Sequence, residues 1–393
     1  MPERWDVVIV GGAVMGCSAA YWLTRMDPSL KVVVVEMDPT YARAATALSV
    51  ASVRQQFSNP VNVAISRFGV GFIRDFQTAL GHDVGVPSLG LRENGYLFLS
   101  GSAEGAALLG ELAAMQNGLG AATEVLDPAG VQARFPWMTV GDVTAGSLGL
   151  RDEGWFDNMG LLNGFRAAAR AQGVVFRTDR VTGVRRSGAR VTGVDLASGG
   201  QLDAGAVLNA AGTRGAEVMA MAGEVLPVEP RKRTVFVIDA PNARHPDAPL
   251  LIDHTGYYMR PEQEHWIIAT VPSIDPAADP DDFSPDAGQF EEVIWPLVYA
   301  RAPGFDAVKV LRLWVGQYDY NRLDQNAIVG RWPGTDNLYI LNGFSGHGLQ
   351  QSPAMGRGIA ELILTGRYQA LDLTDLGAER IVENRPFPEA AIV

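Results

Sequence analysis

The sequence contains almost no cysteine and has no excess of basic residues. Its 393 residues include one cysteine, Cys17, so no disulfide can form within the chain and a metal site built from four cysteines is excluded. The 32 lysine and arginine residues are outnumbered by 44 aspartate and glutamate residues, which gives a formal net charge of −12. Because nucleic acids are bound by basic surfaces, this charge balance argues against a nucleic acid as the main partner.

Long hydrophobic runs are also missing. The most apolar stretch, residues 7–23, is interrupted by glycines and is shorter than the roughly 20 residues that a membrane-spanning helix needs. Glu3 and Asp6 precede it, so it does not have the basic start of a signal peptide. We therefore expect no transmembrane segment and a cytoplasmic location. The five histidines show no metal-binding spacing, so we expect no metal site.

The remaining composition is that of a globular protein with many tight turns. Hydrophobic residues make up 47% of the chain, and 393 residues are more than one simple core usually holds, so two domains are expected. The 44 glycines make up about 11% of the 393 residues, whereas the usual frequency is about 7%. They do not form a sequence repeat. These glycines predict sharp turns and close approaches of the backbone.

The N-terminal part of the chain combines a strand, a glycine turn, a helix and a second strand. Residues 5–10 (WDVVIV) predict a buried strand, which is followed by the turn GGAVMG at 11–16 and by a helical pattern. A second apolar strand at 32–35 ends at Glu36, about twenty residues beyond the last glycine of the turn. This arrangement is typical of a dinucleotide-binding βαβ unit.

Each part of this unit has a physical role toward a dinucleotide. Gly11 permits the tight turn, Gly16 lets the helix pack closely on the strand, and the helix N-terminus offers N–H groups to a pyrophosphate. Glu36 can accept hydrogen bonds from the ribose hydroxyls. Ala13 replaces the middle glycine of the G-x-G-x-x-G pattern, and its methyl group narrows the approach without blocking it. The alternative is a Rossmann-like domain that binds no nucleotide.

Two further turns have the same character. Residues 207–213 (VLNAAGT) predict an apolar strand that ends in a turn of small residues before a helix. A strand at 337–341 is followed by NGFSGHGLQQ at 342–351 and by a helix predicted over about 352–364. In a flavoprotein, the positive end of such a helix can stabilise the negative charge of reduced flavin.

With these pieces the chain resembles the D-amino-acid-oxidase-type FAD-dependent oxidoreductases. The likeness is to the branch with sarcosine oxidase, sarcosine and dimethylglycine dehydrogenases, and glycine oxidase. Its motifs are VVIVGGAVMG with Glu36, LNAAGT at 208–213 and GFSGHG at 343–348, which span nearly the whole chain. SVASVRQQFS at 49–58 and QYDYN at 317–321 resemble in particular the mitochondrial FAD-dependent oxidoreductase-domain proteins.

The resemblance implies an α/β plus α+β fold. A Rossmann-like FAD-binding domain of the glutathione-reductase type would carry an inserted substrate domain built on an antiparallel sheet. We expect the FAD-binding domain at 1–86, 154–223 and 325–393, and the substrate-binding domain at 87–153 and 224–324.

The resemblance also implies which residues contact FAD. They are Gly11, Gly12, Ala13, Val14, Met15, Gly16, Glu36, Met37, Arg43, Ser49, Val50, Ala51, Val181, Ala210, Ala211, Gly212, Gly343, Phe344, Gly346, His347, Gly348, Leu349 and Gln350. The monomeric sarcosine oxidases attach FAD to a cysteine, but residues 315–324 contain none. We therefore expect FAD to be bound non-covalently.

The substrate-binding residues implied by the resemblance begin with Arg54, which falls where relatives grip the substrate carboxylate. Gln350 stands where the sarcosine branch has a basic residue, and Arg260 is a candidate for the missing charge. His347 would donate to the flavin or face the substrate. The alternatives are a surface arginine for Arg54, a salt bridge for Arg260 and a backbone contact for His347. Five aromatic residues are candidates for the cavity wall: Tyr257, Tyr258, Trp314, Tyr318 and Tyr320.

The implied reaction is oxidation of the C–N bond of a small amino acid or N-alkyl amino acid. Hydride would pass to flavin N5, and the imine would hydrolyse. Oxidases of this branch place a lysine over the flavin, whereas residues 265–270 contain none and only Lys309 follows Lys232. This favours a dehydrogenase, with an electron-acceptor protein or a quinone as partner. Two alternatives stay open: a 2-hydroxy-acid or glycerol-phosphate dehydrogenase with His347 or His254 as base, and a flavoprotein that assists assembly of a respiratory complex.

Overall fold

A computed structural model describes residues 3–81, 84–272 and 274–389. Residues 1–2, 82–83, 273 and 390–393 belong to the predicted domain ranges but lie outside the described residues. Among the described helices, none has both the length and the apolar character needed to cross a membrane. The cytoplasmic location stays a prediction.

Most strands of the described chain belong to two large sheets. In chain order the strands are β1 Glu3–Val10, β2 Val32–Glu36, β3 Ser52–Val53, β4 Tyr96–Ser100, β5 Thr123–Leu126, β6 Ala145–Gly149, β7 Gly154–Trp155, β8 Val175–Thr178, β9 Val181–Ser187, β10 Arg190–Leu196, β11 Gln201–Asn209, β12 Val228–Asp239, β13 Leu250–Ile252, β14 Tyr257–Glu262, β15 His265–Thr270, β16 Lys309–Asn321, β17 Ile328–Arg331 and β18 Leu338–Asn342.

The helices pack against these sheets. They are α1 Val14–Met26, α2 Pro60–Arg74, α3 Phe76–Leu80, α4 Ala103–Gly118, α5 Pro128–Arg134, α6 Asn158–Ala171, α7 Gly215–Met221, α8 Trp295–Arg301, α9 Gly348–Thr365 and α10 Glu379–Val382. Short 3-10 turns lie at Gly212–Arg214, Pro303–Asp306 and Thr374–Leu376, and a π-helical turn at Phe290–Ile294 precedes α8.

The first sheet has a parallel centre in the order β18-β11-β1-β2-β8. Strand β1 lies between β2 and β11, and its residues 7–10 are buried because the sheet is covered on both faces. Helix α1 lies on one face and packs against α6 and α9. The carboxyl ends of β1 and β11 therefore meet at one edge of the sheet, where ligands bind in such folds.

The second sheet has the order β16-β12-β15-β14-β13-β4-β6-β5. Its neighbours are antiparallel except for β4 and β13, which run parallel. This agrees with the predicted antiparallel sheet except at that pair. The exception arises where two distant parts of the chain meet, since no hairpin connects β4 with β13 and fixes their direction. The strands of this sheet come from 87–153 and 224–324, and the division into two domains stays our proposal.

Two helices begin or end elsewhere than the sequence pattern indicates. Helix α9 begins at Gly348, ahead of the predicted start at about 352, and it contains Pro353. Proline has no N–H for the carbonyl of Leu349, and the hydroxyl of Ser352 donates to that oxygen instead at 2.9 Å. The sequence also predicts a helix over about 287–300, and the structure has the π-helical turn and α8 there.

Candidate functional site

A cavity of about 540 Å³ lies where the two large sheets meet. Its volume falls within the range of about 300–1,000 Å³ that is typical of small-molecule sites. The wall is formed by the turn between β1 and α1, the turn after β11, the start of α9, and residues of β12, β14 and β16. The three glycine-containing turns identified in the sequence thus share one cavity.

The turn between β1 and α1 is held by close contacts of the backbone. Gly11 has a φ of 97°, and a side chain there would come within 2.4 Å of the carbonyl oxygen of Ala210. Gly16 faces inward, because a Cβ atom would lie 1.9 Å from the carbonyl oxygen of Gly11. Ala13 and Met15 line the cavity at the start of α1, where the first N–H groups have no partner within the helix. This arrangement suits a pyrophosphate.

Glu36 lines the same cavity at the end of β2. Its carboxylate accepts the N–H of Gly12 at 2.7 Å and the N–H of Asp38 at 2.8 Å, and burial raises its pKa. A carboxylate has about four lone-pair sites, so acceptor capacity remains for ribose hydroxyls. The Glu36 carboxylate therefore fits a dinucleotide.

The turn before α9 is fixed from below by Asp319. Its carboxylate accepts the N–H groups of Gly343 at 2.8 Å and Phe344 at 3.1 Å, and burial raises the pKa of Asp319 to about 6. Gly346, with a φ of 97°, lies against the ring of Tyr318, because a Cβ atom there would come within 2.8 Å of that ring. Because Gly346 has no side chain, the turn can pack directly against Tyr318 at the cavity.

Most residues implied as FAD contacts line the cavity, and four do not. The lining residues are Gly11, Ala13, Val14, Met15, Glu36, Met37, Arg43, Ser49, Val50, Val181, Ala210, Ala211, Gly212, Phe344, Gly346, His347, Gly348, Leu349 and Gln350. Gly12, Gly16, Ala51 and Gly343 are outside the wall. Gly12 and Gly16 are outside the wall because each packs against another part of the chain. Gly12 lies against Glu36, and Gly16 lies against Gly11.

Arg54 lines the cavity although only 2% of its surface is exposed. One terminal nitrogen donates to the carbonyl of Gln56, and the other lies 3.0 Å from Nε2 of His347. The guanidinium lies over the ring of Phe57, with Cζ 4.2 Å from the ring centroid. Burial lowers the pKa of Arg54, and the nearby Glu389 carboxylate counters that effect. The arginine is therefore held in one orientation at the cavity.

His347 is neutral beside this arginine. Burial and the charge of Arg54 lower the pKa of His347 to about 3. Because a guanidinium only donates hydrogen bonds, Nε2 must be the acceptor and the ring proton is assigned to Nδ1. His347 is thus a poor acid and a weak base, and it serves to orient Arg54.

Gln350 and Arg260 do not supply a second positive charge to the cavity. The side-chain oxygen of Gln350 accepts the backbone N–H of Arg54 at 2.8 Å, so this residue positions Arg54. Arg260 was a candidate for the missing positive charge, but the structure places it outside the cavity wall. It pairs with Glu262, donates to the carbonyl of Val50 at 3.0 Å and lies over the ring of Trp155.

Two of the five aromatic candidates line the cavity wall. Tyr258 and Tyr318 line the cavity as aromatic candidates, whereas Tyr257, Trp314 and Tyr320 do not. Burial raises the pKa of Tyr258 well above its ordinary value, so its hydroxyl keeps its proton.

Two further wall residues were not recognised in the sequence, Tyr96 on β4 and Arg233 on β12. The only signal for them was the alternation of these strands, which does not show which face meets a ligand.

Behind Arg54 lies a buried carboxyl group, Glu153. It accepts the N–H of Gln55 at 2.7 Å and the side-chain amide of Gln56 at 2.9 Å. Burial raises its pKa from 4.5 to about 7. Glu153 thus fixes the segment that carries Arg54, and its charge depends on pH near neutrality.

We predict that Glu153 makes the folded protein less stable as the pH rises. Its pKa is higher in the folded than in the unfolded protein, so the free energy of unfolding should fall between pH 4.5 and 8. Relative to Glu153→Gln, which cannot ionise, the loss should reach up to about 3 kcal/mol. Urea unfolding of both proteins at several pH values measures the difference. Parallel pH profiles for the two proteins would disprove the prediction.

Comparison with known proteins gives a consistent result. The family model "DAO: FAD dependent oxidoreductase" matches residues 6–362. The FAD-dependent oxidoreductase domain-containing protein 1 of Xenopus laevis is 40% identical over 100% of this chain and 85% of its own length. Sarcosine oxidase subunit beta of Rhizobium meliloti (strain 1021) is 25% identical over 93% and 86%.

A solved structure shows the same fold. The L-proline dehydrogenase from P. horikoshii superimposes with a TM-score of 0.85 at 24% sequence identity. The match covers 98% of this chain and 100% of that protein. The arrangement of the two large sheets is therefore shared with this dehydrogenase.

Proposed function

Because this chain belongs to the DAO family of FAD-dependent oxidoreductases, we propose that it oxidises the C–N bond of a small amino acid or N-alkyl amino acid. The observation that carries this proposal is the buried guanidinium of Arg54 in the wall of the cavity that the glycine turns line. A guanidinium binds a carboxylate through two hydrogen bonds and keeps its charge when desolvated. A substrate with a carboxylate next to the reacting carbon suits this site.

We propose that FAD is held along the cavity by the N-termini of α1 and α9, the turn after β11 and Glu36. When bound, FAD supplies the hydride acceptor for the reaction. Cys17 is buried in α1, and its thiol donates to the carbonyl of Gly12 at 2.9 Å. No cysteine is found among the described residues that line the cavity. Non-covalent binding of FAD stays a prediction.

The residues of the cavity would bind and orient the substrate. Arg54 would hold the carboxylate, with Gln350 and His347 fixing its backbone and guanidinium. Tyr258 and Tyr318 would enclose the apolar part of the amine. An amine that binds in its neutral form needs no catalytic base, and the low pKa of His347 agrees with this histidine not acting as one.

We predict slow reaction of the reduced enzyme with oxygen. Within the described part of the cavity wall there is no lysine, and Lys232 on β12 pairs with Asp282 instead. The lysine charge that oxidases of this branch place over the flavin is thus missing. Stopped-flow mixing of reduced enzyme with air-saturated buffer measures the rate, and mixing with a redox dye serves as the control. Reoxidation by air within milliseconds would contradict the prediction.

Anaerobic titration of the FAD-loaded protein tests the proposed function. The amines are sarcosine, dimethylglycine, proline and D-amino acids, and loss of the visible flavin absorbance by one of them is expected. A 2-hydroxy acid that bleaches the flavin when every amine fails would support the hydroxy-acid alternative. That alternative has little support in the geometry, since His254 pairs with Asp142 and Arg301 outside the cavity wall. If the protein binds FAD tightly and none of the tested compounds reduces it, a role in the assembly of a respiratory complex would be favoured.

A further inference from the structure

Arg233 is the second arginine that is buried in the cavity wall. It lies on β12, only 4% of its surface is exposed, and its guanidinium is over the ring of Tyr318, with Cζ 4.9 Å from the centroid. Tyr318 in turn lies against Gly346 of the turn before α9. Arg233 therefore belongs to the part of the cavity where the substrate is proposed to bind.

The hydrogen bonds of Arg233 leave one edge of its guanidinium unused. Nη1 and Nη2 donate end-on to the two carboxylate oxygens of Asp275 at 2.7 and 2.9 Å, and Nη1 also donates to the carbonyl of Lys232 at 2.8 Å. A guanidinium has five N–H groups, and these bonds use three of them. The Nε–H has no partner among the described residues.

The unused groups form a suitable binding edge. The Nε–H and the second N–H of Nη2 point to the same side of the guanidinium, and this side-on edge matches the two oxygens of a carboxylate. Asp275 occupies the other edge and holds the arginine in place. The Asp275 carboxylate also raises the pKa of Arg233, so the guanidinium stays charged despite its burial. A buried donor without a partner is unfavourable, and a ligand acceptor would satisfy it.

We propose that the substrate carries a second carboxylate, which the side-on edge of Arg233 binds while Arg54 binds the carboxylate next to the amine. This inference rests on the proposed function and narrows its substrate class to amino dicarboxylates and N-carboxyalkyl amino acids. The two guanidiniums would then hold the substrate at both ends.

The test compares matched amines that differ only in the second acidic group. Iminodiacetate is compared with sarcosine, and glutamate with glutamine, by anaerobic flavin reduction over a range of concentrations. The wild-type protein should bind at least one diacid at least tenfold more tightly than its matched partner. Arg233→Gln should reduce this preference to less than twofold, with most of the change in the affinity for the diacid.

Arg231→Gln is the matched control. Arg231 lies two residues earlier on β12, stacks over Tyr320 and is 3.7 Å from Asp275, yet it is outside the cavity wall. This variant should keep the preference for the diacid. Should Arg233→Gln lose its FAD, the double variant Arg233→Gln with Asp275→Asn removes both charges of the pair and is measured instead.

The outcomes separate the two proposals. If amines reduce the flavin but the diacids show no advantage in the wild-type protein, the inference about Arg233 is overturned and the proposed function stands. If Arg231→Gln abolishes the preference as Arg233→Gln does, general charge and not the edge of Arg233 is responsible. If no amine reduces the flavin, the proposed function itself fails.

Discussion

Arg54→Gln is expected to raise the KM for the amino acid substrate about 30-fold or more, while FAD stays bound. Removing one partner of a buried, hydrogen-bonded charge pair costs about 2–5 kcal/mol, and each 1.4 kcal/mol corresponds to a factor of ten. Arg54 contacts the cavity and His347 through its guanidinium, whereas Asp319 holds the backbone of the turn before α9. Steady-state kinetics with a dye acceptor measure KM, and flavin fluorescence measures FAD binding.

Two further variants show what the change in KM means. Arg54→Lys keeps the positive charge but cannot bind a carboxylate bidentately. Its KM should therefore lie between those of the wild-type protein and Arg54→Gln. Arg67→Gln removes an exposed arginine from α2 and should leave KM unchanged. A KM within twofold of the wild-type value for Arg54→Gln would show that this residue does not hold the carboxylate.

The same substitution should also change the titration of His347. The charge of Arg54 is one cause of the low pKa of this histidine, and burial is the larger cause. Without Arg54 the pKa should therefore rise but remain below its ordinary value. The neutral state of His347 at physiological pH is thus a consequence of its place in the fold.

Local patterns were sufficient to predict one side of the cavity. The strand, turn and helix around Gly11 are neighbours in the sequence, and the acid at 36 follows at a typical distance. Such contacts depend on few residues, so spacing alone predicts them. Arg54 was placed by its likeness to relatives, and the structure brings it into contact with His347 from a distant segment.

The opposite side of the cavity depends on contacts between distant strands. Arg233 and Arg260 both lie on strands of the second sheet, and alternation cannot distinguish their surroundings. The register of β12 with β16 pairs Arg233 with Gly316, and its guanidinium reaches diagonally over the ring of Tyr318. The position of Arg260 on β14 brings it to Glu262 and Trp155. For Arg260 the sequence left two readings open, a charge for the cavity and a salt bridge, and the structure shows the salt bridge with Glu262.

Glycine motifs have a related ambiguity, since they do not show what approaches the backbone. Gly12 was interpreted as a FAD contact, and Gly16 both as a FAD contact and as the residue that lets the helix pack on the strand. At Gly16 the approaching atom is the carbonyl oxygen of Gly11, so its absent side chain permits packing of the chain on itself. This distinction leads to a prediction about stability as well as about FAD.

Gly16→Ala is expected to destabilise the protein and to yield a preparation with little FAD. The added Cβ atom would lie 1.9 Å from the carbonyl oxygen of Gly11 and 3.0 Å from its carbonyl carbon. Gly11 has little room to move away, because it is itself packed against the carbonyl of Ala210. Helix α1 must therefore shift away from β1, at a cost of about 3 kcal/mol or more for overpacking. Thermal unfolding and the ratio of flavin to protein absorbance measure the two effects.

Gly71→Ala provides the matched control for this substitution. Gly71 lies inside α2, and a Cβ atom there would meet no atom within 4 Å. The same added methyl group should be neutral or stabilise the helix by up to about 1 kcal/mol, with FAD retained. Equal melting temperatures and equal FAD contents for the two variants would refute the packing role of Gly16. A colourless, less stable Gly16→Ala protein beside a yellow Gly71→Ala protein would locate the effect in the contact between α1 and β1.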